Sequence, residues 1–292
     1  MAKELKQDLN GTEQHPGMVF IMFLLMEEKC DMPDKNYMQS IMNKHLGDTD
    51  CFAHNTESAG FAPHRYTVHF EKENKDAHPF LMVTSCSAIE KPLLDDVAMS
   101  QLWDCPEGEQ ILSSCKYQVV ATDMMAAGLN YKERAEMLVH YAEALVEMFP
   151  SCKAVIFENS KKMLTREAIQ NCTVPEEMRF IHYAVNVRFF RISGTDDMLV
   201  DTLGMNTLFM PDLQYHFHGL DPNQVVNHAY NVLSYIYDAD NPLKSGDTID
   251  GIKDGQMSQE VMWTVRYEDS LIQPLREVID MNMGEYASGA RE

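Results

Sequence analysis

An apolar run of nine residues, from Met18 to Met26, is the feature that most constrains the fold of this chain. The run contains no polar residue and ends at Glu27 and Glu28. A helix that spans a bilayer needs about 20 apolar residues, so the run is too short to cross a membrane. It also lacks the small-residue cleavage site of a secretory signal peptide. A short, continuous apolar run is typical of a buried strand, and we predict a central strand here.

The segments that follow alternate between helical and strand-like patterns. Apolar residues recur at helical spacing over residues 34–46, and a proline suited to a first helical turn opens a second helical pattern at residues 91–103. The alternating residues 65–71 and the apolar residues 80–85 flank a turn, which predicts a hairpin. With a further strand predicted at residues 113–123, the order is β-α-β-β-α-β. This order indicates the ferredoxin-like, or split βαβ, arrangement.

A longer helix is predicted over residues 131–148, and a strand at residues 154–157 extends the sheet. The helix has a continuous apolar stripe that predicts one buried face. The stripe consists of Ala135, Leu138, Val139, Ala142, Leu145, Val146 and Phe149.

A second group of strands is predicted at residues 181–192, 198–209 and 213–217. Asp221 followed by Pro222 is a favourable N-cap and N1 pair, and it predicts a helix that continues to about residue 237. The sequence therefore predicts an α+β fold in two halves, the second an antiparallel sheet with one covering helix. The predicted bounds are a flexible tail at 1–17, the ferredoxin-like half at 18–172, the second half at 178–283 and a flexible tail at 284–292.

The formal net charge is −21, from 45 Asp and Glu against 24 Lys and Arg. Such a surface repels the phosphates of nucleic acids and the anionic headgroups of membranes, so we expect neither as a partner. The acidity favours solubility, and an acidic face that docks a basic partner is the alternative interpretation. A homo-oligomer is left open.

The seven cysteines are an odd number and form no CxxC pair. Several lie in or beside apolar runs, where a reduced cysteine behaves as a small buried hydrophobic residue. Reduced thiols indicate a cytoplasmic location. Three histidines in alternating or apolar surroundings, His69, His140 and His182, are interpreted as core or sheet-face residues with satisfied hydrogen bonds.

The stretch from residue 201 to residue 219 is the first candidate site for chemistry, since it places an acid and two histidines in a run suited to burial. On a strand, His216 and His218 project from the same face, and Asp212 is near in sequence. Together they are a weak candidate metal site. Exposed imidazoles beside a turn are the preferred interpretation, and neither a metal nor another cofactor is expected.

The late segment that contains Gly246, Asp247 and Thr248 could orient a carboxylate and a hydroxyl toward a ligand. An ordinary turn that enters a strand explains the same three residues and is preferred.

The pattern of these segments resembles a mainly bacterial family of domains of unknown function, catalogued as DUF4261. The resemblance covers about residues 110–252. It rests on the strand-helix-strand unit at residues 114–169 and on Thr-Leu-Gly, Met-Pro-Asp-Leu-Gln and Gly-Asp-Thr in that order. It implies no activity and no catalytic residue. The motif positions it singles out are Thr202, Gly204, Pro211, Asp212, Gly246, Asp247 and Thr248.

These observations favour a soluble, cytoplasmic binding or interaction module with an unknown protein or small-molecule partner. Four residues are its candidate ligand-binding residues: Thr202, Asp212, Asp247 and Thr248. The alternative is a hydrolase-type or metal-dependent enzyme with a site near Asp212, His216, His218 and Asp247. Convergence of these side chains in one polar pocket would favour the enzyme.

Overall fold

The computed structural model describes residues 19–70 and 74–289. This part of the chain divides into two compact units, residues 19–184 and residues 185–289. The flexible tail predicted at 1–17 lies outside the described residues, as do residues 290–292 of the second predicted tail.

The first unit contains ten strands and six helices within its described residues. The strands are β1 (Ile21–Met26), β2 (Thr49–His54), β3 (Ser58–Pro63), β4 (Val68–Phe70), β5 (Lys75–Ala77), β6 (Phe80–Thr84), β7 (Ser87–Ala88), β8 (Tyr117–Met124), β9 (Cys152–Phe157) and β10 (Lys162–Thr165). The helices are α1 (Lys35–Leu46), α2 (Asp96–Met99), α3 (Gly108–Ser114), α4 (Tyr131–Met148), α5 (Arg166–Gln170) and α6 (Arg179–Ala184).

Eight of these strands form one antiparallel sheet in the order β10-β9-β1-β8-β6-β3-β2, with β7 paired to β8. Strand β1 pairs with β8 on one side and with β9 on the other, so the predicted central strand is internal to the sheet. Its apolar side chains therefore have sheet neighbours on both edges and cores on both faces.

The fold is mixed α+β as predicted, but the ferredoxin-like arrangement is not confirmed. Strand β4 pairs with β5 in a separate two-stranded sheet, whereas β6 pairs with β3 and β8. The predicted hairpin between residues 65–71 and 80–85 is therefore wrong in its pairing. The hairpin of β2 and β3 was not predicted, because β3 (SAGFAP) contains a glycine and a proline that weaken a strand pattern.

The helices of the first unit cover this sheet with their apolar faces. Every residue of the stripe predicted for α4 is buried, and α4 packs against α1. The opposite core surrounds Leu25 of β1 and Ile156 of β9, and it is closed by apolar residues of the segment 89–112. That segment contains α2 and α3, which are shorter than the helix predicted at residues 91–103.

The second unit contains a six-stranded sheet and one long helix within its described residues. Its elements are β11 (Asn186–Arg191), β12 (Met198–Leu203), β13 (Asp212–Phe217), α7 (Pro222–Asp238), β14 (Thr248–Lys253), β15 (Gln256–Asp269) and β16 (Glu277–Asn282). The strand order is β11-β12-β13-β16-β15-β14, and all neighbours are antiparallel except β13 and β16.

Helix α7 begins as its sequence predicts, because the Asp221 side chain accepts a hydrogen bond from the Asn223 backbone N–H and Pro222 follows at N1. One face of α7 packs against the sheet through buried residues such as Val225, Val232 and Ile236. Within residues 19–70 and 74–289, no helix combines the length and the apolar character needed to cross a membrane.

His228 on α7 is a buried polar contact between the helix and the sheet. Its Nε2 lies 2.7 Å from the Asp250 carbonyl oxygen, and its Nδ1 lies 3.0 Å from the Tyr215 hydroxyl. A carbonyl only accepts, so Nε2 carries the proton and Nδ1 accepts from Tyr215. Burial lowers the pKa of His228, because the charged imidazolium is poorly solvated there.

We predict that His228 makes stability fall as the solution becomes acidic. Below the ordinary histidine pKa of 6.5 the unfolded chain binds a proton that the folded chain does not, so the free energy of unfolding decreases. The slope is at most about 1.4 kcal/mol per pH unit for one group. Urea unfolding of wild type and His228→Gln between about pH 5 and pH 8 isolates this contribution, since the other histidines are common to both. Equal slopes for the two proteins would contradict the assignment.

Candidate functional site

Asp212 lies where β12 and β13 are joined through a 3-10 turn at Met205–Leu208. Gly204 precedes this turn with a φ of 135°, a conformation that favours glycine. The Asp212 carboxylate accepts hydrogen bonds from Thr202 Oγ1 at 3.0 Å, from the Met205 N–H at 3.2 Å and from the Gly204 N–H at 3.3 Å. The carboxylate therefore fixes the chain reversal between the two strands.

Four buried charged side chains, Arg188, Asp201, Arg276 and Asp212, form a continuous chain that we call the buried charge network. Arg188 binds Asp201 through Nε at 2.8 Å and Nη2 at 2.5 Å. Arg276 bridges the two acids, with Nη2 at 2.7 Å from Asp201 Oδ2 and Nε at 3.1 Å from Asp212 Oδ2. The signs alternate and the formal charges cancel, which is the arrangement that makes buried charge tolerable.

The buried charge network also holds the loop between β15 and β16. Arg276 Nη1 donates to the carbonyl of Pro274, and Arg188 Nη1 donates to the carbonyl of Gln273. Burial raises the pKa of Asp212, and the Arg276 guanidinium and the three local donors oppose that rise. Since both oxygens of Asp212 accept hydrogen bonds, the carboxylate would have to break internal contacts to act as a base or a ligand.

Asp247 and Thr248 lie elsewhere in the second unit. Asp247 is in the exposed turn before β14, where its Oδ2 accepts from the Lys244 N–H at 2.8 Å, and Thr248 is the exposed first residue of β14. Strand β14 is three positions from β13 in the sheet order, which corresponds to about 14 Å. The structure brings Thr202 and Asp212 together and does not bring Asp247 or Thr248 to them.

His216 and His218, at the end of β13, face a different set of side chains from the buried charge network. His216 Nε2 is 3.6 Å from Asp197 Oδ2, and His218 Nδ1 is 3.1 Å from Ser288 Oγ. Ser288 donates its hydroxyl proton to Asp197 at 2.7 Å. A catalytic serine instead donates to a histidine that is oriented by the acid, so these contacts do not form a nucleophilic triad.

Residues 201–282 carry the sequence signature of one known family. They match the domain of unknown function DUF4261. The match confirms the resemblance that the motifs predict, and it includes the seven motif positions from Thr202 to Thr248. Its bounds differ from the predicted 110–252: the DUF4261 match starts within β12 and extends through β16. No curated protein and no solved structure is significantly similar to the chain.

Both arginines of the buried charge network were missed by the sequence reasoning. Arg188 had a usable signal, because a charge within an apolar strand such as VNVRFF requires a buried partner. Arg276 lies in LIQPLREV, beside a proline and outside any clear periodic pattern, and its role could not be found from the sequence.

We predict that Asp212→Asn destabilises the protein by about 3 kcal/mol, because it leaves the Arg276 guanidinium buried beside a neutral amide. This differs from the small effect expected of an acid that caps an exposed turn. Asp247→Asn is the matched control, and we expect it to change stability little because its carboxylate is exposed. Urea unfolding of both variants measures the difference. Equal stabilities for the two variants would contradict a structural role for Asp212.

All seven cysteines are free thiols. Five are buried, whereas Cys30 and Cys172 are half-buried, and burial together with the neighbouring Cys86 raises the pKa of Cys30 to about 11. We predict that a thiol reagent modifies only Cys30 and Cys172 in the native protein, because the other five thiols are buried, and that Cys30 reacts slowly at neutral pH because little of it is thiolate. Unfolding in denaturant should expose all seven. Fewer than seven reactive thiols in denatured, unreduced protein would indicate disulfides.

Proposed function

We propose that this protein is a non-catalytic binding module that recognises a basic peptide segment with an apolar anchor. The observation that carries the proposal is Trp103, whose side chain is 59% exposed in a loop between α2 and α3. Tryptophan is among the residues that most often dominate binding energy at protein interfaces. The exposed Trp103 beside a cavity that its own side chain lines therefore indicates a binding surface.

The surface around Trp103 has the shape of an open cavity of about 470 Å³. We call it the Trp103 surface, and its lining consists of Asp96, Met99, Ser100, Leu102, Trp103, Cys105, Pro106 and Glu109. The indole is oriented by a hydrogen bond from its Nε1 to Gln101 Oε1 at 3.1 Å. Val97 on α2 adds a second large apolar side chain at 48% exposure. A pre-oriented aromatic ring loses little side-chain entropy on binding.

The negative charge of residues 95–110, which surround Trp103, indicates the kind of partner that would bind. Residues 95–110 contain five acids and no Lys or Arg. Asp104 is paired with Lys162, whereas Asp96 and Glu109 line the cavity and are exposed. An acidic rim around an apolar centre attracts a segment that combines Lys or Arg with a large apolar residue. A second copy of this chain would bring the same acidic segment, so this surface favours a different, basic partner over a homo-oligomer.

The candidate side chains of the family motif do not meet in one site, and this supports a binding role over catalysis. Thr202 and Asp212 hold each other and the adjacent turn, and the other candidates, His216, His218 and Asp247, lie apart from that contact. Convergence of these side chains in one polar pocket would have favoured the enzyme alternative. The free thiols support the cytoplasmic location that forms part of the proposal.

We predict that a 12-residue peptide of Leu and Lys binds the protein and that Trp103→Ala weakens this binding at least tenfold. Isothermal titration calorimetry measures the affinity, and the same peptide with Glu in place of Lys should not bind. Tyr235→Ala is the matched control, because Tyr235 is 46% exposed on α7, in the second unit. The proposal fails if Trp103→Ala and Tyr235→Ala bind the peptide equally, or if wild type binds the acidic peptide as well as the basic one.

A further inference from the structure

A cluster of three potential metal ligands, Glu136, His140 and Glu176, lies in the first unit. Glu136 and His140 are one helical turn apart on α4, so their side chains lie on the same face. Glu176 comes from the 3-10 turn at Glu176–Met178, and its Oε1 is 3.0 Å from His140 Nε2. One ligand atom from each of the three residues lies within 4.8 Å of the others.

These distances suit a shared cation. Neighbouring ligands in an octahedral site, each about 2.1 Å from the ion, are about 3.0 Å apart, and those of a tetrahedral site are about 3.4 Å apart. The distance of 3.0 Å between His140 Nε2 and Glu176 Oε1 equals the ligand separation of an octahedral site. The Glu136 carboxylate can approach by rotation of its own side chain, because this residue is only partly buried.

Tyr66 provides an independent indication that something is bound here. Its side chain is 1% exposed, and its hydroxyl has no hydrogen-bond partner within the described residues. Tyr66 follows Arg65 in the chain, and the Arg65 guanidinium contacts Glu136 Oε1. A buried hydroxyl without a partner costs about 1–3 kcal/mol, and a water on a bound ion would supply the missing partner.

His140 points to the same conclusion. Its side chain is 14% exposed, and its Nδ1 is buried without a partner within the described residues. Within the described residues, its ring therefore makes one hydrogen-bond contact, at Nε2 toward the Glu176 carboxylate. Histidine is the commonest protein ligand of transition metals.

The local charge also fits a divalent ion. Glu136 and Glu176 contribute two negative charges, and Glu133, one turn before Glu136 on α4, adds a third. Arg65 Nη2 contacts Glu136 Oε1 at 2.5 Å and neutralises one of them. The Arg65 side chain is 57% exposed, and it leaves Glu136 Oε2 for an ion.

We propose that Glu136, His140 and Glu176 bind a divalent transition-metal ion of the zinc class, with Tyr66 contacting a water on the ion. One imidazole and two carboxylates form a mixed nitrogen and oxygen set, which suits Zn²⁺ and its first-row neighbours better than Mg²⁺ or Ca²⁺. The site is separate from the Trp103 surface.

The test uses the full-length chain, purified without a histidine tag, treated with a chelator and kept reduced. Titration with Zn²⁺ should show one equivalent bound, and Mg²⁺ should not compete. Glu176→Gln should weaken zinc binding at least tenfold. Glu177→Gln is the matched control, since it is the adjacent exposed acid of the same turn, and it should bind like wild type. Tyr66→Phe should stay folded and weaken binding severalfold.

Co²⁺ distinguishes this site from the seven thiols, because cobalt thiolates have an intense near-ultraviolet charge-transfer band. We expect no such band from the proposed ligands. The inference is overturned if wild type binds no zinc, if Glu176→Gln and Glu177→Gln bind it equally, or if the thiolate band accompanies binding. Trp103→Ala should retain zinc binding, so failure of the peptide-binding proposal leaves this test intact.

Discussion

Compensation of buried charge is the constraint on which both units depend. In the first unit, Asp123 accepts the Phe20 N–H and two bonds from Arg134, and both charged side chains are almost fully buried. In the second unit, the buried charge network does the same with two arginines and two aspartates. An unpaired charge at any of these positions would cost several kcal/mol. Strand ends and loops that carry the partners are therefore held in one position.

The need to compensate buried charge gives the residues of the family motif a structural role. Gly204, Thr202 and Asp212 are the residues that a search for chemistry selects first, and in the structure they satisfy one another. Asp212 holds the chain reversal between β12 and β13, and through Arg276 it is connected to the loop before β16. The part of the chain that matches DUF4261, residues 201–282, contains this chain reversal and the Arg276 that is paired with it.

The predictable parts of the fold are those with local signals. Helix α7 follows an N-cap and N1 pair, and α4 has an uninterrupted apolar stripe, so both were predicted nearly to their ends. Strand pairing is decided between distant residues, which is why β4 and β6 were paired incorrectly and β2 with β3 was missed. The same holds for the site. Thr202 and Asp212 are ten residues apart and could be linked from the sequence, whereas Arg276 reaches Asp212 across 64 residues.

His140 illustrates the limit of residue-type reasoning. In the sequence it lies among apolar residues of α4, and a core histidine with satisfied hydrogen bonds was the expected interpretation. Periodicity alone places Glu136 beside it, but a Glu and a His one turn apart are common on helices and indicate little. The third ligand comes from a turn 36 residues later, and the unpartnered Tyr66 hydroxyl comes from a loop before the helix. The proposal of a metal site rests on the convergence of Glu136, His140 and Glu176 in space, which the sequence does not show.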